Sequence, residues 1–213
     1  MPKSRAPLFA GVAIVAILAG VMAAQLWRER TPPAPTLLNG TVLSSPRAVP
    51  DFQLVDSNGS AITLQQLRAR WNVVFFGYTS CPDICPTTLS TLAQVEKLLS
   101  DLPTAQRPQM VFVSVDPKRD TPAQVGNYTR FFSPSFIGLT GESTQIESLT
   151  RAMGVPVAIH DSGDGAYTVD HAATLFLLDP QARMTAVFSP PHAVEALAKD
   201  LRTVILSTTT KTT

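Results

Sequence analysis

The sequence predicts a mixed α/β domain, a central sheet flanked by helices, carried behind an amino-terminal membrane-spanning helix. Three observations lead there. Short continuous apolar runs at 72–78 and 109–115 read as strands buried on both faces. Apolar residues recur at helical spacing in segments between the strand-like runs. Residues 8–26 (LFAGVAIVAILAGVMAAQL) carry no charge.

The apolar stretch comes first in the chain. At about 1.5 Å rise per residue it nearly crosses a hydrocarbon core of about 30 Å. Lys3 and Arg5 precede it and Arg28 and Arg30 follow, so flanking cations do not set its orientation. The few residues before it and the whole domain after it suit a retained signal-anchor that exports the domain, placing it on the outer side of a bacterial inner membrane, in the periplasm. A cleaved signal peptide ending near Ala23 is the competing reading, and it too exports the domain.

Residues 31–50 hold Pro32, Pro33, Pro35, Pro46 and Pro50 without an apolar period and read as an extended tether. The expected organisation is therefore an anchor with its flanks at 1–30, a proline-rich tether at 31–46, a folded domain at 47–206 and a disordered polar tail at 207–213. Within the domain, 52–55 and 62–64 flank the turn Asp56-Ser-Asn-Gly59 as a hairpin leading into a short helix near 64–69. After the strand at 72–78, Leu89, Leu92, Val95, Leu99 and Leu102 mark a helix over 86–102. The strand at 109–115 precedes Thr121-Pro-Ala-Gln124, a capping box opening a helix to about Phe132. Thr144 and Glu147 suggest a second capping box, with Gly154 stopping that helix. Strands at 155–159, 174–178 and 184–188 and a helix at 192–206 complete a mixed sheet with helices on both faces, a class that includes the thioredoxin-like fold.

Lys and Arg number 17 against 16 Asp and Glu, a net charge of +1. Such a balance offers no basic field for a phosphate backbone, and nucleic acid is not an expected partner.

The chemistry concentrates in Gly77-Tyr-Thr-Ser-Cys81-Pro-Asp-Ile-Cys85-Pro86, at the carboxyl end of a buried strand where ligands of open α/β sheets bind. With Pro86 as first helical residue, Cys85 falls at or near the N-cap, where the helix dipole favours a thiolate. Cys85 is thus expected to be the more acidic thiol. In an exported protein a cysteine pair suggests a static disulfide, but closing so short a loop restrains the unfolded chain little. A catalytic exchanger commonly has two residues between its cysteines, and this pair has three. Structural zinc wants a fourth ligand. Copper suits two soft thiolates and an imidazole. The chain has three histidines, His160, His171 and His192. His192 reads as a local residue at a helix start and His160 as a solvent-facing loop neighbour. His171, just before a strand that crosses back to the sheet, ranks first without being singled out.

These residues resemble the Sco/SenC family of copper chaperones. The likeness rests on Phe76-Gly77-Tyr78-Thr79-Ser80-Cys81-Pro82-Asp83-Ile84-Cys85-Pro86, on Ser114-Val115-Asp116-Pro117-Lys118-Arg119-Asp120-Thr121-Pro122, and on Tyr167-Thr168-Val169-Asp170-His171. It implies a thioredoxin-like fold and a copper site, for copper(I) and copper(II), formed by Cys81, Cys85 and His171. It also implies delivery of copper to the binuclear copper site of a cytochrome c oxidase subunit, or maintenance of that site's thiols, with other copper chaperones or thiol reductants as further partners. The alternative is an extracytoplasmic thiol–disulfide oxidoreductase in which Cys81 and Cys85 are redox-active. Ala172-Ala173 precede Thr174 where thioredoxins carry a cis-proline, which speaks against clamping of a substrate disulfide. Asp116 and Asp120 are expected to serve a turn and a helix start, not to bind metal.

Overall fold

Buried apolar runs alternating with amphipathic helices give a six-stranded sheet in the computed structural model, which describes residues 6–29, 35–161 and 167–209, the side chains of 6–12, 26–29, 161 and 209 excepted. The chain divides into two units, Met1–Ala34 and Pro35–Thr213.

The first unit holds α1 (Ala6–Glu29). Part of the apolar stretch 8–26 falls outside the residues whose side chains are described. Among the described residues no helix is long and apolar enough to cross a membrane. Ile14, Val15, Ile17, Leu18, Val21 and Met22 of α1 are exposed.

The second unit runs β1 (Gly40–Ala48), β2 (Gln53–Val55), β3 (Ala61–Thr63), β4 (Asn72–Gly77), α2 (Ile84–Leu98), β5 (Gln109–Ser114), α3 (Pro122–Phe132), β6 (Ile137–Leu139), α4 (Ser143–Met153), β7 (Val157–Asp161), β8 (Tyr167–His171), β9 (Leu175–Leu178), β10 (Arg183–Phe188) and α5 (Val194–Thr209). The main sheet has the order β1-β10-β9-β4-β5-β6. β4, β5 and β6 are parallel, whereas β9 is antiparallel to β4, β10 to β9 and β1 to β10. Every residue of β4 is buried, as expected of a strand covered on both faces. Phe75, Phe76 and Phe112 lie at the centre of the core, each at most 1% exposed.

Several boundaries differ from the sequence reading for physical reasons. β1 occupies part of the expected tether: it is an edge strand, and its Pro46 sits where the register with β10 shifts between Val42 and Arg47, a place where a missing N–H costs no ladder bond. β6 is only three residues long and carried no periodicity to read. The helix expected at 64–69 is a single 3-10 turn over Leu64–Leu67. α4 starts at Ser143 behind Glu142, without the capping box expected at Thr144, while Gly154 at φ +74 does end it. The Thr121–Gln124 box forms as expected. α5 continues through Ser207 and Thr208 into the expected disordered tail, whose residues from 210 onward lie outside those described.

α5 also fastens the start of the domain. Asp200, only 2% exposed, accepts hydrogen bonds from three consecutive backbone N–H groups, those of Leu38 and Asn39 at 2.8 Å and of Gly40 at 3.1 Å. A carboxylate accepting from three consecutive backbone donors ties the chain entering β1 to the last helix.

Candidate metal centre

The carboxyl end of β4 delivers the chain into the cysteine loop. The Cys81 N–H donates to the Tyr78 carbonyl at 3.2 Å, turning the chain back over the strand end. α2 then begins at Ile84 behind Asp83, so Cys85 is a helical residue of the first turn and not its N-cap. Pro86 is tolerated there because the first-turn N–H groups have no helical acceptor. The Thr79 N–H and hydroxyl donate to Asp120 at 2.9 and 2.6 Å, and the Ser114 hydroxyl donates to the same carboxylate at 2.6 Å. Asp120, 1% exposed, thereby joins the cysteine loop, the end of β5 and the start of α3. Asp120→Ala strands one N–H and two hydroxyls in the interior, and is expected to lower unfolding free energy by on the order of 3 kcal/mol in urea titration. Asp120→Asn, which keeps an acceptor, is expected to lose less.

Both cysteines are free and buried. Cys85 is fully enclosed and Cys81 is 9% exposed. Cys85 Sγ packs so tightly under β4 that a Cβ placed on Gly77 would lie 2.6 Å from it and 2.8 Å from the Phe112 ring. Glycine is needed at 77 for the sulfur to sit where it does.

The third group comes from a separate two-stranded ribbon, β7–β8, in which Val157 pairs with His171. His171 Nε2 is 3.1 Å from Cys85 Sγ. Its Nδ1–H donates to the Ala172 carbonyl at 3.4 Å, which leaves the Nε2 lone pair toward the sulfurs. The ring stands edge-on to Tyr78 at 5.6 Å and tilted against Phe75 at 6.0 Å. Sγ of Cys81, Sγ of Cys85 and a His171 ring nitrogen all lie within 4.8 Å of one another, the one such cluster of potential ligands among the described residues. A trigonal ion with bonds of about 2.0–2.3 Å, the lengths thiolate and imidazole make to zinc, spaces its ligands by about 3.7 Å. The longest separation in the cluster therefore has to shorten by no more than about 1 Å, while the 3.1 Å Cys85–His171 contact opens slightly.

Burial sets the protonation of this cluster. Desolvation pushes the Cys85 thiol far above its ordinary value, helped by Cys81 and Asp120 and opposed by a backbone hydrogen bond at Tyr78. The sequence expectation of an acidic Cys85 is thus corrected: the helix start is present, but enclosure of the sulfur outweighs it. Burial likewise lowers the His171 pKa below the usual imidazole value, against smaller opposing effects of the Ala172 carbonyl, Asp170 and the Phe76 backbone. The resting pair is a neutral thiol donating to a neutral imidazole.

The remaining sequence candidates lie elsewhere. His160 Nε2 pairs with Asp170 at 2.7 Å on the exposed surface of the ribbon. The His192 ring contacts the Ala173 carbonyl at 2.6 Å. Asp116, buried at 3%, binds Arg119 and accepts from the Tyr167 hydroxyl at 2.6 Å. The Arg119 guanidinium lies 3.8 Å over the Tyr167 ring and 5.6 Å from that of Tyr78, and donates to the Tyr167 carbonyl at 3.0 Å. This Asp116–Arg119–Tyr167 cluster holds the ribbon strand that ends in His171. Sequence reasoning missed it, since nothing local pairs Tyr167 with residues some fifty positions earlier.

The chain is similar in sequence and fold to known proteins. The family description SCO1/SenC matches residues 41–206. A SCO2-like protein of Rickettsia felis is 37% identical over 153 residues, covering 69% of this chain and 74% of that protein. The solution structure of apo Sco1 from Thermus thermophilus matches with a TM-score of 0.70 and 36% identity over 81% of this chain and 99% of that one. Copper-bound ScoI of Bradyrhizobium japonicum matches with a TM-score of 0.65 and 37% identity over 72% of this chain and 96% of that one. The mixed sheet flanked by helices is the thioredoxin-like fold of these structures.

Proposed function

This chain belongs to the SCO1/SenC family, and from that premise we propose that it is a copper chaperone that holds one copper ion through Cys81, Cys85 and His171. The convergence of two sulfurs and an imidazole nitrogen within 4.8 Å carries the reading. Two soft donors favour copper(I), and the imidazole extends the set to copper(II). Copper is cargo, delivered to the binuclear copper site of a cytochrome c oxidase subunit, or the protein maintains the thiols of that site, with other copper chaperones or thiol reductants as further partners. The copper-bound ScoI relative supports the cargo.

The thiol–disulfide exchanger reading is less well supported. Cys85 is wholly enclosed and Cys81 only 9% exposed, so a protein disulfide has little to approach. The two readings separate in one experiment, anaerobic copper(I) titration of the reduced protein compared with turnover of a disulfide substrate. One equivalent of tightly held copper without turnover supports the chaperone. Turnover with no copper uptake overturns it.

That titration carries a pH signature. Cys85 is a neutral thiol at pH 7, because burial raises its pKa, and copper binds the thiolate. Loading must release at least the Cys85 proton. Apparent copper(I) affinity is therefore expected to rise with pH across the neutral range, with proton release measurable by calorimetry in buffers of different ionisation enthalpy. His171, already neutral because its pKa is lowered, adds no proton near pH 7.

We propose further that 8–26 anchors the chain in a bacterial inner membrane with the domain in the periplasm. The exposed apolar side chains of α1 support this, since water is a poor surround for them. Fractionation of the full-length protein with membranes is the expected result, and recovery of a soluble mature form beginning near Ala24 would favour the cleaved signal peptide.

A further inference from the structure

Beside the ribbon lies a groove of about 460 Å³ that the copper reading does not use. Its walls are β7, α4 and the loop after β5. Val115, Ile146, Val155, Val157 and Ile159 give it an apolar lining. Ile159 is 59% exposed and Val157 37%. They stand two residues apart on β7, so both project from the same side of the strand. Volumes of about 300–1,000 Å³ are those of real binding clefts.

Three features of this place point to the same occupant. The first is backbone: β7 pairs with β8 alone, so among the described residues its outer edge carries N–H and C=O groups with no neighbouring strand. The second is side-chain period. Val157 and Ile159 match an incoming strand that presents apolar residues at alternate positions. The third is charge. Lys118 and Arg151 line the groove exposed, and neither is in an ion pair among the described residues. Asp116 is occupied by Arg119 and Tyr167, so among the described residues that line the groove the one acid outside an ion pair is Glu147. With Asp116 neutralised by Arg119, two cations against Glu147 leave the described lining one positive charge in surplus.

We propose that this groove is a docking site for an extended, acidic segment of a partner protein, which adds to the free edge of β7 and seats alternate apolar side chains over Val157 and Ile159. The segment comes to rest one strand away from β8, whose last residue is His171. Strands in a sheet lie about 4.8 Å apart, so the added strand is about 10 Å from the strand bearing the imidazole. Docking there brings a partner's own ligands alongside the cysteine loop without displacing any ligand. The groove stands independently of the copper reading, which supplies only the reason a partner would come.

The test uses the full-length chain in lipid nanodiscs and a fluorescein-labelled, capped octapeptide of alternating Val/Ile and Thr with Asp or Glu at both ends. A matched peptide with Lys in place of the acids is the control. Fluorescence anisotropy is expected to show saturable binding of the acidic peptide only, weakened severalfold in 0.5 M salt as exposed charge attraction is screened. Hydrogen exchange should slow at 157–161. Lys118→Glu with Arg151→Glu, and separately Ile159→Asp, are expected to weaken binding at least tenfold while copper(I) uptake is unchanged, which also certifies the fold of each variant. The proposal is overturned if neither peptide binds, if both bind alike, if protection falls away from β7, or if β7 is already protected by self-association before peptide is added. A parent that binds the peptide but no copper would overturn the copper reading and leave the groove standing.

Discussion

Replacing His171 with alanine is expected to leave the fold and both free thiols in place, to abolish the charge-transfer absorption of the copper(II) form, and to weaken copper(I) binding by at least about 100-fold. The magnitude follows because losing even the outer hydrogen-bond partner of a metal ligand costs about 10–100-fold. The imidazole is half-buried against Tyr78 and Phe75, so its removal leaves a small gap and unpairs only the Ala172 carbonyl and the weak Cys85 S–H donor. Some copper(I) stays on the two thiolates, and absorption and affinity must therefore be read together. The controls are unusually clean. His160 spends its ring on exposed Asp170, and His192 on the Ala173 carbonyl. Alanine at either position should leave the copper(II) spectrum as in the parent. If His171→Ala matches the parent in both oxidation states while His160→Ala or His192→Ala does not, the ligand assignment is wrong. If all three are silent, copper gives way to thiol–disulfide exchange.

A single methyl group at Gly77 should be nearly as damaging. Its carbon would stand 2.6 Å from Cys85 Sγ and 2.8 Å from the Phe112 ring, and both side chains are enclosed. Overpacking of this kind costs about 1–3 kcal/mol. The sulfur has to move, and its 3.1 Å contact with His171 Nε2 moves with it. Gly77→Ala is expected to lower the melting temperature and to shift the copper(II) absorption even in the fraction that folds. Adding Phe112→Leu relieves the ring clash alone. The double variant should regain stability without regaining the parent spectrum, and full recovery of both would show that the methyl group acts on the core and not on the sulfur.

The distance between what could be read from the chain and what only folding reveals is physical. α2 was legible because Leu89, Leu92 and Val95 mark one buried face at helical spacing, and β4 because all of its residues are buried together. β1 was not, since an edge strand with most residues exposed and Pro46 at a bulge has neither an apolar run nor alternation. Of the three proposed ligands, Cys81 and Cys85 announce themselves by nearness in sequence. His171 was only first among three candidates until the family resemblance singled it out, because its approach to Cys85 spans 86 residues of chain. The acidity expected of Cys85 failed for a related reason: position at a helix start is local and visible, whereas enclosure beneath Gly77 and Phe112 belongs to the whole fold.

Asp200 has a consequence for distance. By gripping the chain at Leu38, Asn39 and Gly40 it decides where slack ends, and the proline-rich segment is shorter in practice than its residues suggest. From residue 30 to residue 37 a fully stretched backbone covers at most about 25 Å. If 8–26 anchors the chain in a bilayer, as proposed above, so short a link would keep the domain near the lipid. There a membrane-bound recipient would meet it at a high effective concentration, while a freely diffusing protein would gain nothing from the confinement. On that proposal, one carboxylate on the last helix would set the reach of the domain.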